Sequence, residues 1–290
     1  MARDWWLKLN RAEKHMVELK QEAKRYADSN PYSFTRVRLP DSDKKITGRF
    51  QIIEQPNPMI AVILGDFVHN LRSALDYVVV ACVPKKRRYD ASFPIVFEDI
   101  FAENESGNFV VNDSKRRKAF NSAIEGIHPD ARAFIIDIQP YQFAAGTGRW
   151  NVDNISLGII SRMENADKHR QLITLGCGGK DCSIWFTLRD FEPPIPYNRP
   201  LDEGRQFLKD DTVIPFNFPP EMFSGIPHPV DNVAIVPSDM EMHLKTTAKI
   251  LVQVSGVAGN QPSLHILEEL LDGLLFETGL ILERMEKFVL

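Results

Sequence analysis

The chain has 290 residues, enough to bury a substantial hydrophobic core as one large domain or two small ones. Its 43% hydrophobic and 26% charged residues are typical of a soluble globular protein, and the net charge of -4 excludes a general attraction to nucleic acid, although local basic clusters could still act. Three cysteines provide no disulfide framework, and their odd number fits a reducing compartment.

The first predicted element is a helix over Asp4–Ala27, in which apolar residues recur every three or four positions. Because the N-terminus lacks the apolar core of a signal peptide, we expect a cytoplasmic protein. Two alternating segments, 33–39 and 46–54, flank the turn residues Pro40–Asp43 and predict a β-hairpin.

The central helix is the most informative stretch of the chain. Residues 59–83 form an apolar run in which apolar side chains recur with the period of one buried helical face. Polar residues interrupt the run, so it is not a membrane span. The opposite face is either an ordinary solvated face with caps and ion pairs, or a functional one. It carries short, directional side chains: Asp66, His69, Asn70, Arg72, Ser73 and Asp76.

The rest of the chain alternates short helices and strands between prolines and glycines. Residues 174–191 predict a hairpin that brings Cys177 and Cys182 across from each other, either as small buried side chains or as a metal or disulfide pair. The other predicted elements are an extended segment at Ser92–Phe97, helices at Lys115–Ile124, Pro129–Ile138 and Asn151–Ile173, strands at 212–218, 233–236 and 249–254, and a final helix from Ser263 to Phe288.

Together these elements predict an α+β fold, in which a helical bundle of about four main helices packs beside a mainly antiparallel β-sheet. The bundle would comprise residues 1–173, with an N-terminal hairpin at 33–54. Residues 174–261 would form the antiparallel β region, and a C-terminal helix over 262–290 would return to the bundle. We expect one compact domain overall.

The second informative stretch is RMENADKHR, which begins at Arg162. On a helix, Arg162, Asn165 and His169 lie within about 60° of one another on the face that should point into the bundle. A charge buried there is costly unless it is paired. The natural partners lie on the central helix: Asp66, His69 and Asp76.

Two interpretations of this polar face remain open. In the first, Asp76 or Asp66 binds Arg162 in a structural network that fixes the register of the two helices. In the second, a pocket between the helices holds an acid–base His and a cationic anchor. Cleavage of RNA by its own 2′-hydroxyl needs those two groups and no metal, whereas a hydrolase would use two histidines and nearby carboxylates to hold a divalent metal.

Four sequence blocks together resemble a family of uncharacterised bacterial proteins that carry HNLRSALD and DKHR motifs. The blocks are GDFVHNLRSALDY from Gly65, FPI from Phe93, QPY from Gln139 and NADKHR from Asn165, and they cover roughly Met59–Leu172.

A more distant resemblance is to HEPN domains, helical bundles that often act as metal-independent ribonucleases in toxin and antiphage systems. Their signature is an Arg, four to six residues and a His, and six residues separate Arg162 from His169. HEPN nucleases usually carry Asn, Asp or His directly after the Arg, where this chain has Met163. The resemblance implies that Arg162 and His169 form the site, and that such domains dimerise to complete it.

Two basic clusters, Lys85–Arg88 and Lys115–Lys118, are candidates for phosphate binding, and Tyr89 after the first could stack on a base. The alternative for charge runs of this length is a solvated loop and a solvated helix start.

The first hypothesis is therefore an RNA-cleaving or RNA-binding protein, in which His169 is the acid–base group and Arg162 the phosphate anchor. Asn165 would orient the scissile group and His69 would assist. The alternatives are a noncatalytic partner-binding protein with a structural network and, third, a metal-dependent hydrolase. We predict no cofactor, no resident metal and no membrane association; RNA and a second copy of the chain are the expected partners. Substrate contacts are assigned to Asp66, Asn70, Arg72, Asp76, Asp167, Lys168 and Arg170.

Overall fold

Helices and two antiparallel sheets make up the regular structure of the residues that the structure describes. The computed structural model describes residues 3–37, 45–103, 106–107, 114–142, 156–168, 173–188, 199–200, 212–217, 240–254 and 263–290. The helices are α1 (Asp4–Asp28), α2 (Met59–Cys82), α3 (Ser114–Ala123), α4 (Pro129–Asp137), α5 (Ser156–Lys168) and α6 (Leu267–Met285), with single 3-10 turns at Lys85–Arg87 and Glu286–Phe288.

The strands form two sheets. They are β1 (Tyr32–Val37), β2 (Lys45–Ile52), β3 (Thr174–Leu188), β4 (Arg199–Pro200), β5 (Thr212–Asn217), β6 (Met240–Val254) and β7 (Ser263–Ile266). The first sheet has the order β1-β2-β5, and the predicted hairpin pairs Tyr32 with Ile52. The second has the order β4-β3-β6-β7. The predicted α+β class with a helical bundle is confirmed.

The chain divides into two compact units. One comprises Met1–Glu22, Pro58–Leu175 and Val252–Leu290, and the other comprises Ala23–Asn57 and Gly176–Leu251. The first unit holds the helical bundle, in which α2 packs against both α5 and α6. The three-stranded sheet belongs to the second unit.

The core of the bundle is built on the predicted apolar face of α2. All eight apolar positions of that face are buried: Leu64, Phe67, Val68, Leu71, Ala74, Leu75, Val78 and Val79. The last four pack in one hydrophobic cluster with Trp5 of α1, Leu157 of α5 and Leu282 of α6. No helix in the described part of the chain is long and apolar enough to span a membrane.

Two predicted elements differ from the structure. Residues Thr174–Leu188 form one continuous strand, so Cys177 and Cys182 follow each other along β3 and do not lie across a hairpin. Glycines permit a turn but do not require one, and β3 is extended between two neighbouring strands. Ser263 begins the strand β7, and the final helix starts at Leu267. The predicted strand at 233–236 lies outside the described residues.

Truncating the centre of α2 tests this core. We expect Leu71→Ala to lower the free energy of unfolding by about 2–5 kcal/mol, because Leu71 is fully buried and the site cannot close over the missing methyl groups. Urea denaturation followed by circular dichroism measures the change. The control is Val62→Ala, an exposed position on the same helix, with an expected change within about 0.5 kcal/mol. Equal effects would contradict this packing of α2.

Candidate functional site

The polar face of α2 holds a neighbouring stretch of backbone in place. Arg72 donates a hydrogen bond of 2.6 Å to the carbonyl oxygen of Phe93, and the N–H of Phe93 donates one of 2.8 Å to Asp76. The two side chains also pair with each other at 3.0 Å, because they lie four residues apart on one helix. We call this arrangement the α2 clamp. It satisfies both backbone groups of a residue whose side chain is fully buried.

Gln139, just after α4, holds the next residues of the same stretch. Its amide oxygen accepts from the N–H of Val96 at 2.8 Å, and its amide nitrogen donates to the carbonyls of Pro94 at 3.0 Å and Ile135 at 2.8 Å. Gln139 itself is fully buried. Side chains thus provide hydrogen-bond partners for the backbone of Phe93, Pro94 and Val96. The HNLRSALDY, FPI and QPY blocks meet at this point.

Glu164 of α5 also pairs with Arg72 of the α2 clamp. Its side chain is only 8% exposed, and its two oxygens lie 3.6 Å from Arg72 Nε and 3.6 Å from His69 Nδ1. Arg72 is therefore shared between two carboxylates, which offsets much of the cost of burying them. Glu164 was not among the residues selected from the sequence. The signal was present, because Glu164 continues the buried helical face of Leu157 and Ile160.

His69 is the exposed member of this group. Its side chain is 58% exposed, its Nδ1 faces the buried Glu164, and its Nε2 lies 3.5 Å from the hydroxyl of Ser73. A carboxylate that faces one ring nitrogen favours one orientation of the imidazole. The pair is therefore able to move a proton to or from a bound molecule.

A groove of about 530 Å³ opens beside Glu164. One wall is the held stretch of residues 92–98, and the opposite wall is a face of α3, where two alanines leave space. The remaining lining comes from Ile100, α2 and α5. Its polar and aromatic members include Arg72, Ser92, Phe97, Arg116, Glu164 and Asn165.

The structure describes the surroundings of Arg162 and Asn165 among the residues predicted on α5. Arg162 is 8% exposed, and its guanidinium lies 4.8 Å from the centre of the Phe97 ring, where it supports the wall of the groove. Asn165 is exposed and lines the groove. Asp167 and Lys168 end α5, and their side chains are not described. His169 and Arg170 lie outside the described residues.

The remaining predicted residues lie on α2. Asp66 is exposed, and its carbonyl oxygen accepts a hydrogen bond of 2.7 Å from the Asn70 amide. Asn70 therefore bonds within its own helix. Arg72 and Asp76 form the α2 clamp, so the structure gives them a structural role whatever else they bind. Asp76 pairs with Arg72, and Glu164 forms ion pairs from α5 to His69 and Arg72 of α2.

The described residues contain no group of three or more His, Cys, Asp or Glu side chains placed to hold a metal ion. No model of a known protein family, no curated protein and no solved structure matches the chain. What the groove can do chemically is therefore inferred from the side chains that surround it.

Breaking the α2 clamp tests its contribution to stability. We expect Arg72→Met to lower the free energy of unfolding by on the order of 3 kcal/mol, because it leaves Asp76 and Glu164 without their cation. The control is Arg116→Met, which removes an arginine from an exposed pair with Glu98 and should cost about 0–1 kcal/mol. A similar decrease in both variants, measured by urea denaturation, would contradict the α2 clamp.

The pH dependence of stability tests Asp76 separately. Burial raises the pKa of Asp76 above its ordinary value of 3.8, although Arg72 and the N–H of Phe93 act to lower it. Because the folded pKa is the higher one, the favourable contribution of Asp76 is complete below 3.8 and declines as the pH rises through the folded pKa. Relative to Asp76→Asn, the wild type should gain free energy of unfolding on acidification. Denaturation curves for both proteins from neutral pH downward measure it, and a parallel pH dependence would contradict the shift.

Proposed function

We propose that the groove binds single-stranded RNA, and that the protein cleaves it in a metal-independent, HEPN-like reaction. The observation that carries the proposal is the exposed imidazole of His69, whose Nδ1 lies 3.6 Å from the buried carboxylate of Glu164, a residue that lines the groove. An oriented acid–base group beside an anion-binding surface is what cleavage by the RNA's own 2′-hydroxyl requires.

In this proposal, Nε2 of His69 takes the proton of the 2′-hydroxyl as that oxygen attacks the adjacent phosphate. Glu164 then stabilises the imidazolium through Nδ1, at 3.6 Å. A second group must protonate the leaving 5′-oxygen. His169 follows Asn165 by four residues in the sequence, and we assign that role to it in keeping with the HEPN resemblance. Asn165, which lines the groove, orients the scissile phosphate.

Charges at the groove support RNA as the ligand. Arg116 lies on the α3 wall and pairs there with Glu98 at 3.3 Å, while Lys115 and Lys118 of the same helix are exposed. Phosphates of a single strand would bind the two lysines. Arg162 would act indirectly, because its guanidinium supports the Phe97 wall. A protein of this kind would belong to a bacterial toxin or antiphage system and would act as a dimer, as the resemblance implies.

A second candidate function is favoured by the α2 clamp itself. Arg72, Asp76 and Gln139 all satisfy backbone groups of residues 93–96, as expected if the polar network only shapes a surface. In that case the groove would bind a protein partner without catalysis, and His69 would be an ordinary surface residue.

An RNA-cleavage assay in the presence of chelator separates the two functions. We expect the wild type to cleave a labelled single-stranded RNA in EDTA, and His69→Ala to be slower by about 100-fold or more, because general acid–base catalysis contributes on that scale. Glu164→Gln should also slow cleavage. Gel electrophoresis of the labelled products over time measures the rates.

The matched control is His128→Ala, since His128 has a similarly exposed side chain, at 55%, and caps α4 outside the groove. It should cleave as fast as the wild type. Intact RNA with the wild type would contradict catalysis and favour the partner-binding function. Loss of cleavage in His169→Ala but not in His69→Ala would contradict the role given to His69.

A further inference from the structure

The first basic cluster, Lys85–Arg88, contacts the C-terminal end of α3. Arg87 pairs with Glu125 directly after that helix, and the N–H of Ser92 donates to the carbonyl of Ala123 at 3.2 Å. Further along, Glu98 pairs with Arg116 near the start of the helix at 3.3 Å. Residues 87–98 therefore run antiparallel to α3. The two basic clusters lie near opposite ends of this helix, whose length is roughly 15 Å, and the groove lies between them.

Tyr89 has the most exposed ring among the described aromatic residues, at 99% of its full accessible surface. It sits on an ordered turn: Lys85–Arg87 form a 3-10 turn, and the N–H of Asp90 donates to the carbonyl of Arg87 at 3.2 Å. The turn therefore presents the ring to solvent. By contrast, Tyr77 is 44% exposed and has the ammonium of Lys8 5.7 Å from its ring centre.

The charge around Tyr89 is also available for binding. Lys85 and Lys86 are exposed, and neither lysine forms an ion pair within the described parts of the chain. Arg87 is neutralised by Glu125, so its role is to anchor the turn. Two lysines and an exposed aromatic residue thus share one hydrogen-bonded turn.

We propose that Tyr89 stacks on an unpaired base and that Lys85 and Lys86 bind the flanking phosphates, as a second binding point for single-stranded RNA outside the groove. This inference rests on the function proposed above. An aromatic ring offers its face to any unpaired base and is sequence-tolerant, whereas the bases of a duplex are already stacked. The turn thus selects single strands of any sequence.

The position of the turn fits one continuous ligand. Ser92 lines the groove and follows Tyr89 by three residues, so their α-carbons are at most about 11 Å apart. A strand held at Tyr89 would therefore reach the groove within a few nucleotides. Stacking on Tyr89 would raise affinity for strands long enough to span both places.

Fluorescence anisotropy with a labelled 2′-O-methyl oligouridine tests the inference, because this probe has no free 2′-hydroxyl and binding is measured without cleavage. Tyr89→Ala should raise Kd roughly tenfold, the scale expected when one base no longer stacks. Tyr89→Phe keeps the ring and should bind as the wild type does. Tyr77→Ala is the matched control, an exposed tyrosine elsewhere in the bundle, and should also bind normally.

Two further measurements identify what the turn binds. With an abasic oligonucleotide of equal length, wild type and Tyr89→Ala should bind alike, because no base remains to stack. Replacing Lys85 and Lys86 by alanine should reduce the slope of log K against log salt by about 0.7 for each phosphate that the turn no longer binds.

The outcomes separate this inference from the function on which it rests. Unchanged Kd in Tyr89→Ala, or a tenfold weaker affinity in Tyr89→Phe, would overturn the stacking on Tyr89 even if the RNA is cleaved. A Tyr89-dependent Kd without cleavage would support the stacking and overturn the catalytic proposal. If the wild type does not bind the probe, the stacking is overturned. The cleavage assay in EDTA would then be the separate test of the proposed function.

Discussion

The architecture of the candidate site depends on one requirement, that the backbone of Phe93, Pro94 and Val96 be hydrogen-bonded although no strand of the described residues pairs with it. Arg72 and Asp76 supply the bonds for Phe93, and Gln139 supplies those for Pro94 and Val96. Phe93 can be buried only because its polar groups are satisfied in this way. The same stretch forms a wall of the groove, so the stability of the bundle and the shape of the site have a common origin.

The polar side chains of α2 and α5 thus divide by role. Arg72 and Asp76 face the backbone, and Arg162 supports an aromatic ring. His69 and Asn165 face outward, and Glu164 connects the two groups because one oxygen faces Arg72 and the other faces His69. A network that is required for folding therefore also orients the one exposed imidazole on α2. The structural and the functional interpretation of these residues are compatible, because one oxygen of Glu164 pairs with Arg72 of the α2 clamp and the other with the exposed His69.

The sequence was sufficient for what depends on local periodicity. The buried face of α2 and the β1–β2 hairpin follow from spacing along the chain, and both are as predicted. The α2 clamp could not be predicted, because it joins a side chain to the backbone of a residue about 20 positions away, and composition carries no trace of such a bond. Glu164 was missed because the helical face was traced from Arg162, although the buried positions before it indicate a face that includes Glu164.

A small structural detail limits how the turn before Tyr89 can evolve. Gly126 has a φ of 82°, and a β-carbon there would approach the Pro84 ring to 3.0 Å. Any side chain at Gly126 would strain its own backbone and press on the residue that leads into Lys85. The exposed residues Lys85, Lys86 and Tyr89 can therefore be replaced without disturbing the attachment of the turn to α3. Gly126, at that attachment, can be replaced by no other residue without strain.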